Sequence, residues 1–345
     1  MVGALSNDRV LESATPPPMI DVAFDARETS HMSVGMRQYV SELARRIPRV
    51  APELQFMTFG SGDNFDWDEQ IAMPLEIARI RPRLVHIPSP FAPVVIPAPY
   101  VITIHDLIDL NFPQWTKPKA RWYFRVAVRH AARRARCVIT DDRSTADDLV
   151  RFYGLDAGRI AVIPLGVDIP EVEPIRRAVP YVIYAGNRRP HKDLQTIVDA
   201  WRAVDAATEI DLVMTGTDDD DLRGASRERG GLIFTGELPH ADVLRWIKGA
   251  RALVHAALRE GFGLPLLEAV RMGTPVICAE PSVPSILREQ VEAFAAGDSA
   301  GLARSIERAL RGELRERSER ARSQTAGLTW DRCAALTADV YRRFS

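Results

Sequence analysis

ALVHAALREGFGLPLLEAVRMG, residues Ala252–Gly273, is the stretch from which the architecture can be read. It opens on a short apolar run, Ala252–Ala256, that suits a buried strand. Gly261 and Gly263 then allow backbone to approach a ligand closely. Pro265 suits the first turn of a helix, which runs through Glu268 and stops at Gly273. Glu260 therefore lies in a strand-end loop and Glu268 about one turn into the following helix. The helix N-terminus between them presents unpaired N–H groups and positive potential to an anion such as phosphate. Carboxylates flanking a phosphate-friendly turn fit a molecule with hydroxyls at both ends and phosphates between them, as in a nucleotide sugar.

Working outward, the same strand–loop–helix unit recurs along all 345 residues. Strands are predicted at Met19–Ala26, Leu54–Gly60, Leu84–Pro88, Tyr100–Asp106, Cys137–Asp141 and Ile160–Pro164. In the second half they are predicted at Tyr181–Gly186, Asp211–Gly216, Leu232–Gly236, Ala252–Ala256, Pro275–Glu280 and Glu292–Gly297. Helix-period segments such as Val34–Ile47, Lys117–Arg136 and Ser144–Phe152 lie between them. Continuous apolar strands alternating with helices imply parallel sheets covered on both faces, hence an α/β fold of two doubly wound halves. The aperiodic, proline-containing segment Gly166–Pro180 separates them. The domains expected are 19–168 and 178–326, with ligands in the cleft between them, beyond the carboxyl ends of the strands.

Several functions are excluded. With 45 Lys+Arg against 46 Asp+Glu, the chain lacks the basic excess of a nucleic-acid binder. Leu84–Ile104 carries no formally charged side chain over a membrane-spanning length of about 20 residues. Its five prolines (Pro88, Pro90, Pro93, Pro97, Pro99) nevertheless forbid a spanning helix, so it reads as strand, loop, strand. The first 18 residues lack a basic start and apolar core, and read as a loose leader rather than a signal peptide. Three scattered cysteines (Cys137, Cys278, Cys333) fit a reducing compartment, so a cytoplasmic protein is expected. GDSAG at 297–301 matches the nucleophile-elbow pattern, but no histidine follows Ser299, so Asp298 or Ser299 is read as a helix cap. No dinucleotide fingerprint or P-loop is present. Asp218–Asp221 is read as a solvated helix cap and not as a metal site.

Three further elements bear on chemistry. After strand Tyr181–Gly186, NRRPHKDL places Arg188, Arg189 and Lys192 at a helix start, able to neutralise a diphosphate without a metal ion. Cations there oppose the helix dipole, which favours a ligand role over a merely solvated one. His105-Asp106 ends a strand in the first half. Ser33-Val34-Gly35 is a small-residue turn opening a helix after the first strand.

Taken in order, HDLIDLNFP, VIPLGVD, YAGNRRPHKDL, FTGELP and EGFGLPLLEAVRMGTPVI resemble the retaining glycosyltransferases of family 4, with the GT-B fold of two facing Rossmann-like domains. The resemblance runs from about Ile20 to Phe344. It implies that Glu268 binds the donor ribose, that Glu260 touches the donor sugar, and that Gly261, Phe262, Gly263 and Leu264 line the sugar and phosphate site. It further implies that Arg188 and Lys192 stabilise the leaving diphosphate, with Arg189 able to replace Arg188. His105 would line the reaction centre, Gly35 would sit beside the phosphates, and the last helix (329–345) would cross back to complete the first domain. The expected reaction moves a hexose from a nucleotide diphosphate sugar, GDP-mannose in preference to a UDP-sugar, to a glycan or lipid-linked acceptor. No cofactor and no metal are expected. The competing readings are a nucleotide-sugar-binding protein without transferase activity and a GT-B sugar-nucleotide epimerase. This chain departs from the family pattern at SVGM (one glycine in the first loop), Ala256-Ala257, His191-Lys192 and Pro284-Ser285. Replacing Lys192 or Glu260 by Ala is expected to lower turnover far more than stability.

Between Asp109 and Asp141 there is no acid, while Lys117–Arg136 holds eight Lys or Arg. Arg121, Arg125, Arg129 and Arg133 form an i,i+4 stripe beside an apolar face of Phe124, Val128, Ala131 and Ala135. Two readings are open: a helix docking on an anionic membrane surface, which would make the protein peripheral on the inner membrane face, or an ordinary solvated helix face.

Overall fold

The computed structural model describes residues 19–63, 68–217, 222 and 224–345. The leader and the Asp218–Asp221 cap lie outside the described residues. Every predicted strand forms: β1 (Val22–Asp25), β2 (Phe56–Phe59), β3 (Leu84–Ile87), β4 (Tyr100–Thr103), β5 (Cys137–Thr140) and β6 (Ile160–Val162) in the first half, and β7 (Tyr181–Tyr184), β8 (Asp211–Met214), β9 (Leu232–Phe234), β10 (Ala252–His255), β11 (Val276–Ala279) and β12 (Glu292–Phe294) in the second. The ladders are shorter than predicted because residues such as Asp141 and Ala185-Gly186 leave the sheets to enter the loops at their carboxyl ends.

The first half's helices are α1 (Val34–Val50), α2 (Met73–Ile80), α3 (Ile108–Asn111), α4 (Pro118–Tyr123), α5 (Arg129–Arg134) and α6 (Arg143–Tyr153). A π-helical stretch, Phe124–Val128, joins α4 to α5. Then follow α7 (Leu194–Ala203), α8 (His240–Gly249), α9 (Leu264–Met272), α10 (Ser299–Leu310), α11 (Arg315–Gln324) and α12 (Trp330–Phe344). Local chemistry sets several ends. Asp298 accepts from the Gly301 N–H and caps α10, as GDSAG led one to expect, and Thr329 accepts from the Arg332 N–H to cap α12. Gly263 at φ 75° starts α9 and Gly273 at φ 78° ends it, both in the left-handed region open to glycine.

Both sheets are wholly parallel, ordered β2-β1-β3-β4-β5-β6 and β9-β8-β7-β10-β11-β12. Successive strand residues point to opposite faces. Ala23 joins one buried cluster while Val22 and Phe24 join another, and Tyr181 and Ile183 part from Val182 and Tyr184 in the same way. One apolar cluster runs from the first sheet through α1 and α12 into the second half. In the second sheet the strand order reverses between β7 and β10, which are hydrogen-bonded neighbours. At such a point the loops leaving the two strands diverge to opposite faces and open a crevice at the carboxyl edge.

The last helix lies on the first half. Arg46 of α1 pairs with Asp331 and with Asp168, the Arg342 Nη2 reaches Glu53 at 2.6 Å, and the Tyr341 hydroxyl meets His86 Nδ1 at 2.6 Å. Gly166 permits this return: a Cβ there would fall 2.1 Å from the Thr329 carbonyl carbon. Among the described residues no helix is long and apolar enough to cross a membrane.

Candidate active site

The loops after β7 and β10 meet at the switch point. From the first comes Lys192, on a short 3-10 turn (Pro190–Lys192), and from the second comes Glu260. The Lys192 Nζ and Glu260 Oε2 form an ion pair with side chains only 8% and 15% exposed. His255, the last residue of β10, donates from Nε2 to the same carboxylate at 3.0 Å. Burial alone would raise the pKa of Glu260, but Lys192 and His255 more than reverse this and hold it well below the usual carboxylate range. Burial also lowers the pKa of His255, which is therefore neutral with its proton on Nε2. The site thus carries a fixed, buried positive charge beside a carboxylate that stays ionised.

The α9 N-terminus lies directly behind this pair. Phe262 and Leu264 are buried, and a Cβ on Gly263 would lie 3.2 Å from the Glu260 Cγ. Glu268 is buried on α9 and accepts from His240 Nε2 at 2.7 Å, a bond that raises the His240 pKa. Arg188 goes elsewhere. Its guanidinium donates to the carbonyls of Thr215 and Thr217 and lies 5.0 Å over the Phe234 ring, at the carboxyl ends of β8 and β9. Arg189 instead reaches across to Asp109 at 3.6 Å. The two adjacent arginines, interchangeable in sequence terms, have distinct surroundings.

The first half closes over this arrangement. His105, in the loop after β4, sits against Gly261: a Cβ on Gly261 would lie 2.8 Å from the His105 carbonyl oxygen. Gly35 faces the Leu264 side chain, 3.4 Å from an ideal Cβ. His105 Nδ1 meets Asp141 Oδ2 at 2.6 Å, and the Tyr39 ring packs edge-on at 4.8 Å. Burial opposes protonation of His105, yet the Asp141 carboxylate, with Asp106 and the Pro88 carbonyl, outweighs it and raises its pKa. Further contacts cross the cleft. The Ser285 N–H and hydroxyl both donate to Asp142, at 2.7 and 2.6 Å. Arg259 donates to Asp148 at 2.6 Å, and His191 stacks on Phe112 at 5.9 Å.

His105, Lys192, Glu260, Gly35, Gly261, Phe262, Gly263, Leu264 and Glu268 thus gather around one crevice, with Arg188 at its β8–β9 side. Sequence reasoning missed His255, His240, Asp141 and Arg259. His255 and Asp141 were within reach of the strand-end rule, since one ends β10 and the other follows β5; His240 and Arg259 carry no local signal. Among the described residues no group of three or more His, Cys, Asp or Glu is placed to hold a metal ion.

Residues 168–326 match the family model described as glycosyl transferases group 1, and residues 39–171 match glycosyltransferase family 4. The chain is a glycosyltransferase, similar in both halves to those of family 4. O-antigen chain mannosyltransferase B of Escherichia coli is 23% identical over 265 residues, covering 70% of each chain. O-antigen chain mannosyltransferase RfbU of Salmonella typhimurium is 24% identical over 52% of this chain, which spans about half the length of that relative (51%). Among solved structures, Anabaena Alr3699/HepE in complex with UDP and glucose superposes with a TM-score of 0.70 at 17% identity, over 93% of this chain and 99% of its own length. That likeness bears on the fold, and the GT-B architecture of this glycosyltransferase follows from it and from the two sheets.

Proposed function

We propose that this glycosyltransferase moves a mannosyl group from GDP-mannose, with retention at the anomeric carbon, to a saccharide acceptor carried on a lipid. The observation that carries the reading is the buried Lys192–Glu260 pair at the β7/β10 switch point, with the α9 N-terminus behind it and His105 facing it. A nucleotide sugar laid along this crevice would place its ribose at Glu268, its diphosphate at the α9 N-terminus and Lys192, and its hexose between Glu260 and His105. As the bond from the anomeric carbon to the diphosphate breaks and the acceptor oxygen bonds to that carbon, negative charge grows on the leaving phosphate. Lys192 and the α9 N–H groups are already aimed there, so little reorganisation is needed. They take the part a metal ion plays elsewhere, and transfer should survive EDTA. Closure of the first half over the donor keeps water from the activated sugar. The mannosyltransferase names of the two curated relatives support the donor choice. A UDP-sugar is the second reading, favoured by the UDP and glucose bound to HepE.

Hydrolysis and transfer assays across GDP- and UDP-sugars test the proposal. GDP-mannose turnover above the others is expected, with the product's anomeric configuration, read by NMR, equal to the donor's. Turnover of none of them by folded protein, or an inverted product, overturns it.

We place the protein at the cytoplasmic face of a membrane. On the helix running from α4 to α5, Trp122 is 62% exposed and Val126 47% exposed, among basic side chains, with Trp115 exposed nearby. Aromatic and aliphatic side chains among lysines and arginines fit the boundary of an anionic bilayer. Sedimentation with phosphatidylglycerol vesicles is expected at low salt and is expected to weaken at high salt and in Trp122→Ser; no binding at low salt removes the membrane from the reading.

A further inference from the structure

His240 is the first residue of α8, where Pro239 leaves the helix N-terminus without a side-chain cap. Its imidazole crosses to the neighbouring helix α9 and donates from Nε2 to Glu268 Oε1 at 2.7 Å. The two side chains differ in setting, Glu268 being 4% exposed and His240 48%. Among the described residues no other hydrogen bond or ion pair reaches the Glu268 carboxylate, so Oε2 is left without a protein donor. Helix chemistry does not account for the histidine. A cation at a helix N-terminus opposes the dipole, yet the bond to Glu268 raises the proton affinity of His240 against its partial burial. The pairing therefore serves the carboxylate. A glutamate side chain has several torsions to lose on ordering, and a carboxylate held by nothing would sample many directions.

We propose that His240 is a positioning residue for nucleotide binding, fixing the Glu268 carboxylate by one oxygen so that the other accepts from the ribose hydroxyls of the donor. An ionised carboxylate only accepts, through about four lone-pair sites, of which His240 takes one. Vicinal ribose hydroxyls supply the donors that the remaining sites lack. Hydrogen bonds to a charged acceptor are strong when short and well aligned, so a Glu268 free to turn would lose much of their value. A carboxylate set before the ligand arrives also avoids the entropy of ordering it on binding. A nucleotide without those hydroxyls would bury the second oxygen unpaired, and a site built in this way rejects such an analogue. A bond that only tied α8 to α9 would affect stability and leave ribose recognition untouched. This inference rests on the ribose lying at Glu268 in the transferase reading, and deepens it by naming what sets that carboxylate.

The test is calorimetric titration of the full chain with GDP and UDP, each beside its 2′,3′-dideoxy counterpart. Wild type is expected to prefer the ribonucleotide by about tenfold or more, the effect of hydrogen bonds to a charged acceptor. In His240→Ala the ribonucleotide is expected to weaken until the preference is about twofold or less, with the dideoxy compound bound as by wild type. A preference kept in full by His240→Ala overturns the proposal. Equal weakening of both compounds also overturns it, since the residue would then support the site as a whole and not the ribose contact. Should His240→Ala melt below wild type, His240→Gln decides. Its amide can donate to Glu268, so the preference is expected to return, and a flat ratio in that variant counts against the proposal. The two readings fail separately: no preference in wild type removes the ribose from Glu268, and this assignment with it, whereas a wild-type preference indifferent to His240→Ala removes His240 alone.

Discussion

Lys192 and Glu260 neutralise each other inside the crevice, so removing either has two consequences. The partner is left as a buried, unpaired charge, which costs about 3–5 kcal/mol. Because the two side chains pair, either substitution costs stability as well as activity. On the proposed mechanism, loss of a preorganised cation at the leaving group is expected to lower turnover by about 10²–10³. The two effects separate in Lys192→Met/Glu260→Gln, which removes both charges at similar volume. Its denaturation midpoint is expected near wild type with transfer still lost, and near-normal transfer in that variant would take the pair out of the mechanism. His191 offers a pH handle beside them. Burial, then the Lys192 charge, lowers its pKa from 6.5 to about 4. Folded-state protonation is thus harder than unfolded-state protonation, and the stability held above pH 6.5 is lost as pH falls toward 4. His191→Phe, able to keep the stacking on Phe112, should lose less stability than wild type over that window; parallel pH–stability curves would show that His191 does not titrate differently in the two states.

At the scale of elements, single glycines decide which segments can approach. Gly166 lets the start of α12 lie against the chain leaving β6, and a methyl group at 2.1 Å from backbone has nowhere to go. Gly166→Ala should destabilise the protein by about 1–3 kcal/mol, read by chemical denaturation. An unchanged midpoint would mean that α12 docks more loosely than described. At the other end of α12, Tyr341 tethers the buried His86, whose Nε2 shares the Thr103 hydroxyl with Tyr39, and the Tyr39 ring packs on His105. The last helix is in this way joined to the site by an unbroken chain of side chains. None of these partners is adjacent in sequence, and an aligned glycine in a loop gives no hint of which backbone it must avoid.

The whole molecule is closed, and its cleft contacts are specific. Ser285, one of the departures from the family pattern, gives both its donors to Asp142 of the facing half. Ser285→Glu would set two carboxylates together in place of two hydrogen bonds. The halves should then separate, giving a larger radius of gyration by small-angle scattering and at least tenfold lower transfer, with the melting of each half little changed. An unaltered radius and rate would show that this contact does not hold the cleft. The departure from the family pattern at Pro284-Ser285 is, in three dimensions, a hydrogen-bonded bridge.

Hydrophobic period and glycine-proline punctuation are local properties, so the sequence by itself determined the twelve strands, the two α/β halves and the strand–loop–helix unit at Ala252–Gly273. Those signals depend only on a residue's near neighbours along the chain. The resemblance carried by EGFGLPLLE and NRRPHKDL added the candidate residues. What only the tertiary structure decided is which of those residues meet. Lys192 pairs with Glu260 while Arg188 turns to the β8–β9 edge, His255 and Asp141 support the two sides of the crevice, and His240 of α8 holds Glu268 of α9. These are contacts between segments tens to hundreds of residues apart, set by strand order and the facing of two sheets, and no periodicity along the chain encodes them.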